Sequence, residues 1–109
     1  FGNNKRDFTN VKDIIKYISA IIMKNDFPEY QIFNIGSTEV FSTKEVVKKI
    51  EILLSKKANI VKNNKNSFEN IVTKSSTKKI VKFYSKINHT PFDEGLKEVI
   101  QWYKKYKKN

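Results

Sequence analysis

The sequence has no cysteine, a single histidine, a single arginine, a single tryptophan, two prolines and three glycines in 109 residues. Without cysteine there is no disulfide framework, no thiol nucleophile and no thiolate-ligated metal. The lack of cysteine permits a reducing, cytoplasmic compartment without demonstrating one. The lone His89 excludes any site that needs two imidazoles. Gly2, Gly36 and Gly95 stand too far apart to write either common glycine-rich phosphate loop. No apolar run approaches the ~18 residues needed to cross a bilayer, and no signal-peptide pattern is visible.

What the chain has in abundance is lysine: 22 basic against 11 acidic residues give a formal net charge of +11, and every base except Arg6 is lysine. Such a surplus admits a nucleic-acid or anionic-surface reading, since lysines near phosphates release counterions without reading sequence. Against that, asparagine and isoleucine are also in excess, the pattern of AT-rich coding. Faces built to read nucleic acid also favour arginine for its bidentate fork. The densest group, Lys104, Lys105, Lys107 and Lys108, falls at the end of a helix, where it complements the dipole without any partner.

The length fits one domain or part of one, and a chain of this size can bury roughly 60–68% of its unfolded surface. Residues 10–24 carry Val11, Ile14, Ile15, Ile18, Ile21 and Ile22 at helical spacing. Thr9 or Asn10 serves as cap, Asp13 sits in the first turn, and Asn25-Asp26-Phe27-Pro28 ends the helix. Residues 31–35 alternate partly and are closed by Gly36-Ser37, which predicts a short strand. Ser42-Thr43-Lys44-Glu45 is a capping box, followed to about residue 55 by the apolar face Val46, Val47, Ile50, Leu53 and Leu54. Residues 58–61 read as a further short strand, 62–70 as an exposed loop and 71–73 as an extended piece. Ser75 or Ser76 caps a short helix burying Ile80, Val81, Phe83 and Tyr84. The last helix starts at Thr90 with Pro91 in the first helical position, and Leu96, Val99, Ile100 and Tyr103 form its inner stripe. Four helices with a few short strands make an α/β, α+β-like piece with no internal repeat and no linker. The chain opens without methionine on an extended Arg6-Asp7-Phe8-Thr9, as if entered from a longer protein.

Taken in order, these segments resemble a known family. Gly2 and Arg6-Asp7-Phe8-Thr9-x-Val11-x-Asp13-Ile14 are similar to the Arg-Asp-Phe segment of extended short-chain dehydrogenases/reductases, the NAD-dependent nucleotide-sugar epimerases and dehydratases. Phe33-Asn34-Ile35-Gly36-Ser37 resembles their Asn-Ile-Gly strand end, and residues 42–58 the helix after it. Thr90-Pro91-Phe92-Asp93-Glu94-Gly95-Leu96 with Trp102-Tyr103 looks like their closing helix. The subgroup most similar is the UDP-glucuronate 4-epimerase-like enzymes. The resemblance implies that residues 1–109 are a C-terminal substrate-binding fragment, and that NAD and the catalytic Tyr-x-x-x-Lys pair belong to an absent N-terminal Rossmann domain. This chain then binds no cofactor itself, has no catalytic residue and is inactive alone. Its implied task is to hold the nucleotide diphosphate of a UDP-sugar while hydride leaves C4 and returns to the other face, with NAD supplying the chemistry.

Carried over residue by residue, the resemblance makes Arg6 the diphosphate contact; the alternative is an ion pair with Asp7 or Asp13. Phe1 matches a stretch near the uracil, or is a terminal core residue. Asn66 and Glu69 match the first and acidic residues of an Arg/Gln-Pro-Gly-Asp turn whose proline and glycine are missing here, and Ser76 stands where a further aspartate is expected. Tyr103-x-x-x-Lys107 copies the catalytic pair only formally, since it lies in the last helix. His89 reads as a surface residue, Trp102 and Tyr106 as packing residues, and no metal set is present. Two other readings remain open: a stand-alone basic module for nucleic acid or anionic surfaces, and an interaction piece whose apolar face drives homodimerisation. No membrane partner is expected.

Overall fold

The computed structural model describes residues 2–24, 30–61, 70–85 and 87–107. In chain order they form β1 (Lys5–Asp7), α1 (Val11–Met23), β2 (Val40–Ser42), α2 (Thr43–Leu54), α3 (Lys78–Tyr84) and α4 (Phe92–Tyr106). The α/β class therefore holds, with four helices and a two-stranded sheet.

Local chemistry accounts for most helix ends. Asn10, not Thr9, caps α1, its side chain accepting from the Lys12 amide at 2.9 Å. At α2 the box closes both ways: Ser42 N–H donates to Glu45 Oε2 at 2.7 Å, and Glu45 N–H donates to Ser42 Oγ at 3.2 Å. Ser55 ends this helix in the left-handed region (φ 51°), and Glu51 accepts from the Ala58 amide just beyond. Two expectations shift. Thr77 rather than Ser75 or Ser76 precedes α3, because the Ser75 hydroxyl is committed to Asp7. Pro91 is the N-cap of α4 rather than its first residue, because Thr90 is drawn onto Asp13. The expected stop at residues 25–28 lies outside the described residues.

β1 and β2 pair antiparallel, with Lys5 opposite Ser42, Arg6 opposite Phe41 and Asp7 opposite Val40. On the other side of β1 the extended piece at 71–73 lies parallel through a Lys5–Val72 bridge, with Lys5 N–H donating to Ile71 O at 2.8 Å and Thr73 N–H to Lys5 O at 3.0 Å. The strands expected at 31–35 and 58–61 are not formed, whereas β2, three residues long, is a strand that no alternation announces.

The core is thin. Among the described apolar residues only Tyr17 and Ile80 are fully buried. Two aromatic groups supplement them: Phe92 with Phe8 (5.6 Å) and Phe41 (4.2 Å, stacked), and Phe33 with Phe83 (5.4 Å) and Tyr84 (5.9 Å). The accessible surface is 9072 Å², against roughly 6300 Å² for a compact chain of 12.8 kDa. The radius of gyration is 17.2 Å, where a close-packed domain of this length has about 13 Å. Burial thus falls short of what the length permits. The cause is visible on two helices: Ile15, Ile18 and Ile22 of the α1 stripe and Val99 and Tyr103 of the α4 stripe are exposed, while Ile14, Ile21, Leu96 and Ile100 are half-buried, so the stripes the periodicity picks out are only partly covered.

Candidate functional site

Successive residues of a strand point to opposite faces, so β1 sends Arg6 one way and its neighbours the other. Arg6 is the central residue of the strand. Its Nη1 donates to the Lys5 carbonyl and to the Asn70 carbonyl, both at 2.9 Å. Among the described residues neither Asp7 nor Asp13 takes the guanidinium. The Asn70 contact sets Arg6 against the end of the segment that contains Asn66 and Glu69. Those two residues and Phe1 lie outside the described residues.

The other face of β1 carries the most heavily bonded group in the chain. Asp7 Oδ1 accepts from Ser37 N–H (3.1 Å), Ser37 Oγ (2.7 Å) and Thr9 Oγ1 (3.0 Å). Its Oδ2 accepts from Thr38 N–H (3.1 Å), Ser75 N–H (3.2 Å) and the Ser75 hydroxyl. Burial pushes this carboxyl up, but the hydrogen bonds from Ser75, Ser37 and Thr9 outweigh it and hold Asp7 at about 2, below its ordinary 3.8. Thr38 sits at φ 65°, a conformation a β-branched residue rarely adopts, and its amide is fastened to Asp7. Gly36 is needed for a steric reason: a Cβ there would run into Ser75 and the Asp7 carboxylate. Asp7 entered the sequence reading only as a partner for Arg6. Its role was not legible, because five of its six donors come from residues about 30 and 68 positions away.

A second carboxylate joins the helices. Asp13, 1% exposed, accepts from Thr90 N–H (2.7 Å), Thr90 Oγ1 (3.0 Å) and Lys16 Nζ (2.8 Å). Burial again raises it, and the Lys16 and Thr90 contacts outweigh that to leave it below its ordinary value. His89, the residue before Thr90, is half-buried and bonded at both ring nitrogens rather than fully exposed. Its Nδ1 lies 3.1 Å from the Ser37 carbonyl and its Nε2 lies 3.3 Å from the hydroxyl of buried Tyr17. A carbonyl can only accept, so Nδ1 carries the hydrogen and donates to Ser37, while Nε2 faces the Tyr17 hydroxyl. His89 therefore ties α1 to the loop that Asp7 anchors.

Trp102 and Tyr106 are 61% and 66% exposed, with 5.5 Å between their ring centres, so they do not pack the interior. Lys107 Nζ lies 5.1 Å over the Tyr103 ring at the same open end of α4, and Tyr103 raises its pKa. Between the start of α1 and α4 runs an open apolar groove of about 570 Å³, lined by Phe8, Val11, Val46, Leu96, Val99 and Trp102 among others. Among the described residues no cluster of His, Cys, Asp and Glu could hold a metal, and no helix is long and apolar enough to cross a membrane.

No family model matches the chain. An uncharacterised protein of Methanocaldococcus jannaschii is 29% identical over 106 residues, which is 94% of this chain and 31% of that protein. Among solved structures, dTDP-glucose 4,6-dehydratase of Bacillus anthracis in complex with NAD superposes on 97% of this chain with a TM-score of 0.80 and 25% identity, using 33% of its own chain. The chain has the fold of a segment of sugar-nucleotide enzymes. MoeE5, solved with UDP-glucuronic acid and NAD, matches 96% of it at a TM-score of 0.87 and 22% identity, using 35% of its own length. The UDP-glucuronic acid 4-epimerase of Bacillus cereus, also solved with NAD, matches 88% at 0.70 and 23%. This sugar-nucleotide fold segment spans about a third of the length of each relative.

Proposed function

We propose that residues 1–109 are the C-terminal, substrate-binding part of an NAD-dependent nucleotide-sugar epimerase, acting on a UDP-sugar by transient oxidation at C4. The observation that supports it best is the fold likeness over nearly the whole chain to enzymes solved with NAD and, in one case, UDP-glucuronic acid. The bound NAD of those enzymes has no counterpart that these residues can supply. Gly2, Gly36 and Gly95 make no phosphate-binding turn, so NAD belongs to a separate N-terminal Rossmann domain and no step passes through it here.

Within this reading Arg6 binds and orients. A guanidinium on a strand held from both sides is a rigid bidentate donor, suited to a diphosphate, and its carbonyl contacts leave donors for an anion. Asn66 and Glu69, in the segment ending at Asn70, would meet the diphosphate and the ribose hydroxyls, and Phe1 the base. Asp7 is a positioning residue: through the sheet and the 36–38 loop it fixes the strand from which Arg6 projects. Remote binding of this kind lowers the barrier at the sugar by holding C4 in one place.

The test is titration of the protein with UDP and UDP-glucuronic acid, followed by calorimetry or by amide shifts near Arg6. Saturable binding that Arg6→Ala weakens 10–100-fold, as expected for loss of charge-assisted bonds worth about 1.5–3 kcal/mol, supports the reading. Binding indifferent to Arg6→Ala removes that residue from the site. A whole enzyme that takes up no UDP-sugar removes the reading itself.

A further inference from the structure

Every residue from 101 to 107, the last turns of α4 and its cap, is exposed. Packing supplies most of a helix's stability, and this end has little of it. It nevertheless carries an apolar face. Val99, Trp102, Tyr103 and Tyr106 recur at i, i+3, i+4 and i+7, so they share one side of the helix, and they are 48–66% exposed. The stripe opens into the groove between α1 and α4 beside Val11, Leu96, Val99 and Trp102. Helical spacing turns Lys97, Gln101 and Lys104 to the opposite side. Lysines also edge the stripe, with Lys105 Nζ 5.3 Å over the Tyr106 ring and Lys107 Nζ 5.1 Å over that of Tyr103. The acids of α4 all precede this stretch, and two of them are engaged. Asp93 pairs with Lys49 at 2.6 Å and Glu98 with Lys12 at 2.7 Å. From Val99 onward the sequence has Lys104, Lys105, Lys107 and Lys108 and no acid.

We propose that this end of α4 is a docking surface for anionic lipid, in which Val99, Trp102, Tyr103 and Tyr106 lie in the headgroup layer and the lysines meet the lipid charges. Indole and phenol rings suit that layer because each joins an apolar body to a polar N–H or hydroxyl. The stems of Lys105 and Lys107 run along the rings while their ammonium groups reach outward. A helix that lies in a bilayer surface has this composition, aromatic on one side and lysine on the other. The lack of a spanning segment is why no membrane partner is expected from the sequence, but binding to a surface needs none. Nucleic acid fits less well. The guanidinium fork that best serves phosphate and base edges is absent from α4. Stacking on bases would use the rings but not Val99 and the groove beyond it. A second copy would bring four more lysines against the first four. The proposed function neither requires this surface nor supplies it.

Trp102 is the only tryptophan of the chain, so its fluorescence reports on this surface directly. The 109-residue chain is titrated with vesicles of phosphatidylcholine alone and of phosphatidylcholine mixed with phosphatidylglycerol. The expected result is a shift of Trp102 emission to shorter wavelength with the anionic vesicles only. Sedimentation with the same vesicles, of this chain and of its whole gene product, gives the affinity. Lys105→Gln with Lys107→Gln should weaken it about 10–30-fold, the weight of two lysines at an anionic surface. Tyr106→Ser should weaken it about 10-fold with no change of charge, for roughly 55 Å² of aromatic surface kept in water. Lys56→Gln with Lys57→Gln removes equal charge beyond α2 and should change it less than ~3-fold, since salt screens lysines held away from the surface. No Trp102 shift with anionic vesicles overturns the proposal. Equal losses from the two lysine pairs also overturn it, because the attraction is then to a basic protein at large. A whole product indifferent to the vesicles does the same, because the rest of that protein then covers the face. A single-stranded oligonucleotide that quenches Trp102 and strips the protein from vesicles overturns it in favour of nucleic acid. A shift that grows with protein concentration, without vesicles, overturns it in favour of a second copy.

Discussion

Two adjacent residues of one three-residue strand have opposite fates. Asp7 spends its carboxylate on six donors, one from Thr9 beside it and five from two distant segments, whereas Arg6, one position earlier and on the opposite face, bonds two carbonyls among the described residues. The period of the strand separates them, and the difference assigns their work. A saturated carboxylate has no capacity left for a ligand and serves the fold, while a guanidinium whose described contacts leave donors over suits the anion that the proposed function assigns it.

Removing the Asp7 side chain is the sharpest way to break that contrast. Asp7→Ala leaves the amides of Thr38 and Ser75 without their acceptor, leaves that of Ser37 with Thr9 Oγ1 alone, and releases Thr38 from a backbone conformation it does not favour. The expected loss is about 3 kcal/mol or more, the scale of a dismantled charged network. Urea denaturation should show it as a lower midpoint. In a chain with so thin a core, outright failure to fold is the extreme form of the same outcome. Asp7→Asn, which keeps the shape and one oxygen, should fall between the variant and the parent. An Asp7→Ala protein as stable as the parent would mean that the hub holds nothing.

Acid probes the same carboxylate without mutation. The folded value of about 2 lies below the ordinary 3.8, so the folded state binds its proton less readily than the unfolded chain. Stability from this group is therefore complete above about pH 4 and is lost as pH falls toward 2. Its size is on the order of 2 kcal/mol, reduced by whatever solvent screens a partly exposed group. Asp13, lowered in the same direction by Lys16 and Thr90, adds to the acid limb. Melting curves between pH 5 and pH 2 should fall steeply for the parent and less steeply for Asp7→Asn.

How much of this was readable in advance depends on the distance between partners. The capping box was legible because Ser42 and Glu45 are three residues apart and each supplies what the other lacks. The extended run at 71–73 was legible, whereas β2 was not, since three residues show no period and their partner lies 35 positions earlier. The strand at 31–35 was read from a real pattern whose ladder these residues do not complete. The buried faces of α1 and α4 were misjudged because periodicity reports that a face is apolar, not that anything in this chain covers it. Of the site, Arg6 came from resemblance rather than from spacing. The hub of Asp7 and the bracket of His89 depend on loops that meet only in three dimensions.

Gly36→Ala tests the hub by crowding it rather than emptying it. The new Cβ would meet Ser75 and the Asp7 carboxylate in a buried position, so the expected cost is about 1–3 kcal/mol. Adding Ser75→Gly removes the obstruction together with the Ser75 hydroxyl bond, and should return part of that loss. If the hub is what fixes the loop, the pair is non-additive in a double-mutant cycle. Simple additivity would place the damage elsewhere.

The smallest effect on stability is expected on the other face of the strand. Arg6→Ala gives up two hydrogen bonds to carbonyls that water can replace, so its urea midpoint should stay within about 0.5 kcal/mol of the parent. Its consequence belongs to binding, where the loss of the fork is felt. Arg6→Lys sharpens the point, because a lysine keeps the charge but not the geometry. If the site reads a diphosphate through a bidentate contact, Arg6→Lys should restore little of the affinity for UDP. If lysine restores it fully, charge alone suffices, and a chain carrying 21 lysines had no physical need of its one arginine there.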